Sequence, residues 1–245
     1  MIDYRVDGRL AYLTFDRPEK LNALTDEGIL EYIRALRQLD KDDAADIAIV
    51  SGKGRAFSAG ADVRERLLVS ATDGVDSQYR PSEADAVLRC ANWKPLIAAV
   101  HGYALGHSLH TALLCDFVIA SEDARFQVTE TAIGVPSGGV WHHIAQATGT
   151  AFASDVCFTG RMFTAREAWD ARLLTRLVPT GSHLSAAVSF AEELLQHPQG
   201  AIREMVRVRR AVLAEQMQHV RGIAGTFRWD LTDGFRDAIQ AKTEG

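Results

Sequence analysis

Two stretches of small residues, each following a strand-like run, are the places where this chain can do chemistry. They are Ala59-Gly60-Ala61-Asp62 and Leu105-Gly106-His107. A helix entered through such residues presents backbone N–H groups that have no acceptor inside the helix, and these can hold a ligand oxygen. Two of them converging on one carbonyl would stabilise an oxyanion or an enolate, provided the fold brings the loops together. His107 and His110 stand three residues apart on one helical face, a spacing that two zinc ligands can use. No third ligand lies at a useful distance in the chain, so no metal is expected. His142 and His143 follow Trp141 on a later helix and offer one imidazole that can turn inward. Neither small-residue loop reads GxxxxGK[ST] or GxGxxG after a strand, so phosphate-loop and dinucleotide chemistry gain no support.

The elements that must position these loops are legible in the pattern. Ile2–Val6 and Leu10–Phe15 flank Asp7-Gly8, a hairpin signal. Thr25-Asp26-Glu27 opens a helix with Ile29, Ile33, Leu36 and Leu39 at helical spacing, and Asp46–Val50 is a short buried strand running into the first small-residue loop. A helical segment is expected from Asp62, a polar mobile loop over 70–82, and then a helix to Trp93 that Lys94-Pro95 stops. Leu96–Val100 reads as a strand, His101-Gly102-Tyr103 as a turn, and Ala104–Leu114 as a helix entered through Gly106. Asp116–Ala120 is the next strand, and the helix from Val140 ends at Gly149. Thr164-Ala-Arg-Glu167 is a capping box, with a strand at Leu177-Val178-Pro179 beyond its helix. From Leu184 the chain is almost all helical, and Arg203, Arg207, Arg209 and Arg210 read as a solvated face. Strands alternating with helices, then a helical tail, give an α/β class with a core over 1–180 and a helical region over 181–245.

Composition narrows the function classes. The 245 residues are 47% apolar and 24% charged, close to the globular averages of about 45–50% and about 25%, so a sizeable core can form. A net charge of −5 gives no global attraction to a polyanion, so nucleic acid is not an expected partner. Cys90, Cys115 and Cys157 are widely spaced and odd in number, which reads as core thiols in a reducing compartment rather than a disulfide framework. No run approaches the ~20 apolar residues of a membrane span, and the first residues lack a signal-peptide pattern, so a cytoplasmic, soluble protein is expected.

Five ordered motifs carry a family resemblance. They are Phe15-Asp-Arg-Pro-Glu-Lys-Leu-Asn-Ala-Leu24, Gly54-Arg-Ala-Phe-Ser-Ala-Gly-Ala-Asp62, Lys94–Gly106, Cys115–Phe126, and Phe158-Thr-Gly-Arg-Met-Phe-Thr-Ala-Arg-Glu-Ala168. From near residue 2 to near 238 the chain resembles the enoyl-CoA hydratase/isomerase (crotonase) superfamily. The resemblance implies a spiral of ββα units with a C-terminal helical trimerisation region, a homotrimer or hexamer, and an acyl-CoA thioester as substrate. Coenzyme A would enter only as part of that substrate, with no other cofactor. It assigns the oxyanion donors to the backbone N–H groups of Ala61 and His107, and the CoA contacts to Lys20, Ala23, Ala59, Asp62, Val63 and Arg64.

Two positions depart from the hydratase pattern. The second catalytic carboxylate matches Glu130, but the first is matched by His110, and His107 stands where the family usually has Gly. The resemblance therefore implies a hydratase/isomerase-like lyase with Glu130 as acid/base and His110 as a divergent partner, since an imidazole can take or give a proton near neutral pH. Alternatives on the same scaffold are an isomerase, which needs one base, a hydrolase, or a non-catalytic acyl-CoA-binding protein. Without the resemblance, Glu130 reads as a loop carboxylate and His110 as a packed helix histidine.

Overall fold

The computed structural model describes residues 1–62, 87, 91–224 and 237. Its strands are β1 (Ile2–Asp7), β2 (Leu10–Phe15), β3 (Ile47–Gly52), β4 (Leu96–Val100), β5 (Tyr103–Leu105), β6 (Phe117–Ser121), β7 (Arg125–Gln127), β8 (Met162–Thr164) and β9 (Arg176–Val178). The helices are α1 (Asp26–Lys41), α2 (His107–Leu114), α3 (Gly138–Thr148), α4 (Thr150–Thr159), α5 (Ala165–Asp170), α6 (His183–Leu195) and α7 (Gln199–Ala224). The helix expected from Asp62, the loop over 70–82, and Val63, Arg64 and Cys90 lie outside the described residues.

One sheet runs β1-β2-β3-β4-β6-β9, antiparallel only at the β1–β2 hairpin. Parallel strands covered on both sides are apolar on both, and the period of two sorts their faces. Ile47, Ile49, Ile97 and Ile119 pack with Ala187 and Ala191 of α6, while Ala48, Val50, Ala98, Val100 and Val118 join the larger core with α1 and α2. Helix α1 starts where the pattern predicts, with Thr25 Oγ1 accepting from Gly28 N–H at 3.0 Å. Its last carbonyls receive a buried cation: Lys94 Nζ donates to Leu39 O and Asp42 O, both at 2.6 Å. The capping box at Thr164 and Glu167 forms, and Cys115 and Cys157 are buried free thiols.

A second sheet, β5-β7-β8, was not legible in the sequence. Ala104 and Leu105 are strand rather than the start of a helix, and Tyr103 is strand rather than turn, because β5 pairs in parallel with β7 and α2 begins only at His107. β8 closes this sheet antiparallel to β7, with Phe126 stacked on Phe163 at 5.5 Å between centroids. Strands of three residues are too short to show a period. The segment Ala91–Lys94 is also non-helical. Asn92 folds onto it, its side chain accepting from Lys94 N–H at 2.9 Å and donating to Lys94 O at 2.7 Å, so the expected helix does not reach Trp93.

The arginines of α7 are a solvated face only in part: Arg207 is exposed, and Arg203 and Arg209 are half-buried. Arg210 is fully buried, paired with Asp116 at 2.5 Å and bonded to the Asn92 and Lys94 carbonyls. Arg209 reaches the other oxygen of Asp116 at 3.1 Å, Arg203 pairs with Asp46 at 2.8 Å, and Arg207 lies 4.7 Å over the Trp93 ring. Helical spacing shows which residues share a face but not what lies opposite, and here carboxylates, carbonyls and an indole do.

Candidate active site

Three parallel segments end at one edge of the small sheet, and the site residues stand just beyond them. Ser58 bridges Ala104 in parallel, with Ser58 N–H donating to Tyr103 O at 3.0 Å and Leu105 N–H to Ser58 O at 3.2 Å. Leu105 pairs with Gln127, and Gly106 N–H donates to Gln127 O at 2.7 Å. Ala61 follows the first segment, His107 the second and Glu130 the third. Ser108 knits the first turn of α2 to this edge, its hydroxyl donating to Ser58 O at 2.6 Å and accepting from Leu105 N–H at 2.9 Å. The two small-residue loops therefore meet.

The direction of the Ala61 N–H follows from its pairing. Ala61 forms a parallel bridge with Leu24, in which Leu24 N–H donates to Gly60 O and Asp62 N–H to Leu24 O, both at 2.8 Å. In a parallel ladder the flanking residues make these bonds, so the Ala61 N–H itself points to the opposite side. The start of α2 lies close by, since a Cβ built on Gly60 would lie 2.4 Å from Leu105 O and 3.6 Å from His107 N. Gly60 has φ +91°, and only glycine allows this approach. His107 is the first residue of α2, a position with no backbone acceptor inside the helix.

Glu130 packs against the same turn. Gly106 has φ +50° and ψ −121°, and a Cβ there would come 2.3 Å from Thr129 Oγ1 and 3.1 Å from Glu130 Oε1. Glu130 Oε2 is buried with no hydrogen-bond partner among the described residues. Burial holds its carboxyl above the usual carboxylate range, partly offset by its own N–H, by charge on His107 and by the Thr129 N–H. Thr131 Oγ1 donates to Cys157 O at 2.7 Å and pins the segment to α4. Beyond Thr131 opens a surface cavity of about 560 Å³ whose walls include Val135, Pro136, Trp141 and Phe158.

The expected coenzyme contacts converge in part. Asn22, fully buried at φ +57°, accepts from Arg17 N–H and donates to the carbonyls of Lys53, Ala56 and Phe57. Asn tolerates this left-handed geometry because its short amide bonds locally. Ala59 N–H donates to Leu21 O at 2.8 Å, and Arg17 bridges Ala23 O at 3.3 Å to Asp62 at 2.8 Å. Ala23, Ala59 and Asp62 thus share one rim, with Lys20 exposed on the turn before it.

His110 lies one turn into α2, and the ring beside it is His143 of α3, 5.8 Å away and edge to face. Of the two histidines that follow Trp141, His143 is the buried one. Its pKa falls to about 3, chiefly from burial, then from charge on His110, Arg209 and His142. The imidazole whose charge bears on Glu130 is that of His107. No group of three or more metal-ligating side chains occurs among the described residues, and no described helix is long and apolar enough to cross a membrane.

Comparison with known proteins places the chain among relatives of one kind. The family model described as Enoyl-CoA hydratase/isomerase matches residues 5–228. A probable enoyl-CoA hydratase of Rhizobium meliloti is 38% identical over 189 residues, covering 76% of this chain and 72% of that protein. The 2,3-dehydroadipyl-CoA hydratase of Escherichia coli is 31% identical over 244 residues, covering 96% and 94%. A crystal structure of an enoyl-CoA hydratase/isomerase from Pseudoalteromonas atlantica matches with a TM-score of 0.86 at 28% identity, over 99% of this chain and 96% of that one.

Proposed function

The chain belongs to the enoyl-CoA hydratase/isomerase family, and from that membership we propose that it binds an acyl-CoA thioester and hydrates or isomerises its enoyl group. The N–H groups of Ala61 and His107 hold the thioester oxygen, and Glu130 is the principal acid/base. The observation that carries this reading is the convergence of three parallel segments at one edge, with a buried carboxyl against the glycine that opens α2. Charge developing on the thioester oxygen is then met by donors already in place.

Hydration follows from that geometry. Glu130 takes a proton from water as the oxygen adds to the β-carbon, electrons shift to the thioester oxygen as an enolate, and a proton is returned to the α-carbon. A carboxyl held above its usual range is better suited to returning a proton than an ordinary one. His110 is the proposed second acid/base, in the helical position next to this turn. One-base isomerisation is the second reading, and a specific observation favours it: His110 faces His143, while the imidazole bearing on Glu130 is His107. The CoA portion would lie along Lys20, Ala23, Ala59 and Asp62, with Val63 and Arg64 beyond. No other cofactor takes part. Residues 1–180 would form the catalytic core and 181–245 the region through which copies associate as a trimer or hexamer, in keeping with the exposed Met205, Val208 and Val212 on α7.

The test is turnover of crotonyl-CoA and of a 3-enoyl-CoA, following conjugated-thioester absorbance and free thiol together. Loss of conjugation without thiol release, slowed by about 10²-fold in His110→Ala, is the expected result. Gain of conjugation from the 3-enoyl ester that survives His110→Ala would establish one-base isomerisation instead. Thiol release would mean hydrolysis, and tight binding without turnover a binding role.

Gly106→Ala should slow the same assay by about 10- to 100-fold, because Gly106 sits at φ +50° and a methyl group there would lie 2.3 Å from Thr129 Oγ1 and 3.1 Å from Glu130 Oε1, so the turn or the side chains of Thr129 and Glu130 must shift. Unchanged turnover with an unchanged circular dichroism spectrum would show that the turn has no part in the chemistry.

A further inference from the structure

We propose that Ser108 is a positioning residue for the oxyanion hole: its buried hydroxyl fixes the start of α2 against the first small-residue loop, and so sets where the Ala61 and His107 N–H groups stand relative to one another. The inference rests on the reading that these two amides hold the thioester oxygen. Ser108 is fully buried in the first turn of α2. A hydroxyl taken out of water costs free energy unless it is bonded, and alanine is the better helix former, so the bonds of this serine are what explain it. They run outside its own helix. The O–H donates at 2.6 Å to Ser58 O, 50 residues away in the chain, and the oxygen accepts from Leu105 N–H at 2.9 Å. Leu105 O also lies 2.9 Å from the hydroxyl, but one proton serves one acceptor well and Ser58 O is the nearer.

The residue that receives this proton is a junction of the site. Ser58 O also accepts from Leu105 N–H at 3.2 Å, and Ser58 N–H donates to Tyr103 O at 3.0 Å. The Ser58 hydroxyl, itself fully buried, donates to Asn22 O at 2.8 Å and accepts from Gly60 N–H at 3.1 Å. Ala61 follows Gly60, and His107 precedes Ser108. Each amide donor thus adjoins a residue bonded to Ser58, one to its hydroxyl and the other to its carbonyl. The backbone bonds tie β5 to the first loop, whereas the Ser108 bond ties α2 itself. Donors in an oxyanion hole act because they are set in advance at the distance and angle that the developing charge will need, and a hydrogen bond weakens steeply as its angle closes. Without the Ser108 hydroxyl, Ser58 O keeps the longer of these two bonds, the backbone bridge keeps the fold, and the first turn of α2 is set less tightly against Ala61.

Ser108→Ala is compared with wild type and with Thr164→Ala, a destabilised control that breaks the capping box of α5 and touches none of these bonds. Each is measured for kcat and KM with whichever enoyl-CoA ester the wild type turns over, and for the absorbance of a bound aryl-conjugated enoyl-CoA, whose band moves to longer wavelength when its carbonyl is polarised. The expected result for Ser108→Ala is a fall in kcat of about tenfold with KM within about twofold, and a loss of about a third or more of the wild-type red shift, while Thr164→Ala keeps both. Should Ser108→Ala not fold, Ser108→Cys, which keeps the branching of the side chain with a weaker donor, is read by the same criteria. Wild-type kcat and red shift in the Ser108 variant would overturn the proposal. So would a fall in kcat with the red shift intact, or an equal loss of both in Thr164→Ala, since the hydroxyl would then support the fold and not the hole. A wild-type protein that binds the probe with no red shift is a different failure: it removes the oxyanion hole at Ala61 and His107, and with it what Ser108 would position.

Discussion

Glu130→Gln is expected to lower kcat by about 10³-fold while leaving KM within about twofold, because the amide keeps the shape of the carboxyl but cannot exchange a proton. The same substitution should make the protein more stable at neutral pH, and the sign follows from burial. The Glu130 carboxyl titrates above its usual range in the folded protein, mainly because burial disfavours its charged form. A group with a raised folded pKa binds its proton more readily in the folded state, so its ionised form opposes folding. That opposition is fully present above the folded pKa and disappears as pH falls below the unfolded value. Glutamine is never ionised. The variant should therefore melt higher than wild type at pH 8, with the difference closing as pH falls through the carboxylate range. Calorimetric melts of both proteins across pH check this. A variant that loses activity and also melts lower at pH 8 would mean that Glu130 holds the structure together, and its assignment as acid/base would lose its best support.

The hairpin, α1 with its Thr25 cap, the parallel strands and the Thr164 capping box were legible, because each signal is local and periodic. The two small-residue loops were legible as donors of N–H groups, but their meeting was not. It depends on β5 and β7, three residues each, whose pairing is decided by partners distant in the chain rather than by their own pattern. The family motifs pointed to Glu130 and His110, yet only the fold shows that charge on His107 acts on Glu130 and that His143 stands against His110. His143 gave a partial signal as one of two adjacent histidines on an amphipathic helix. The arginines of α7 gave a partly misleading one, since Arg210 is buried against a carboxylate and a run of charge is read as solvated unless its counter-charges are seen.

Asp116→Ala is expected to destabilise the protein by about 3–5 kcal/mol, measured by urea unfolding, because it removes the buried acceptor on which α7 is anchored. The Asp116 side chain is 3% exposed and meets Arg210 at 2.5 Å, Arg209 at 3.1 Å and the Leu96 N–H at 2.9 Å. Deleting it leaves the buried Arg210 guanidinium with only the Asn92 and Lys94 carbonyls to offset its charge. If the uncompensated cation is the cause, removing it as well should restore stability, since apolar side chains of similar volume can replace a buried ion pair at little net cost. The double variant Asp116→Leu, Arg210→Met should then unfold at a higher urea concentration than Asp116→Ala, although it lacks more of the native hydrogen bonds. A double variant less stable than the single one would mean that the hydrogen bonds to Leu96, Asn92 and Lys94, and not the charge balance, hold α7 in place. The effect reaches the site in either case. Arg209 also donates to Cys115 O at the end of α2 and bears on His143, so loosening Asp116 loosens both helices that carry the facing histidines.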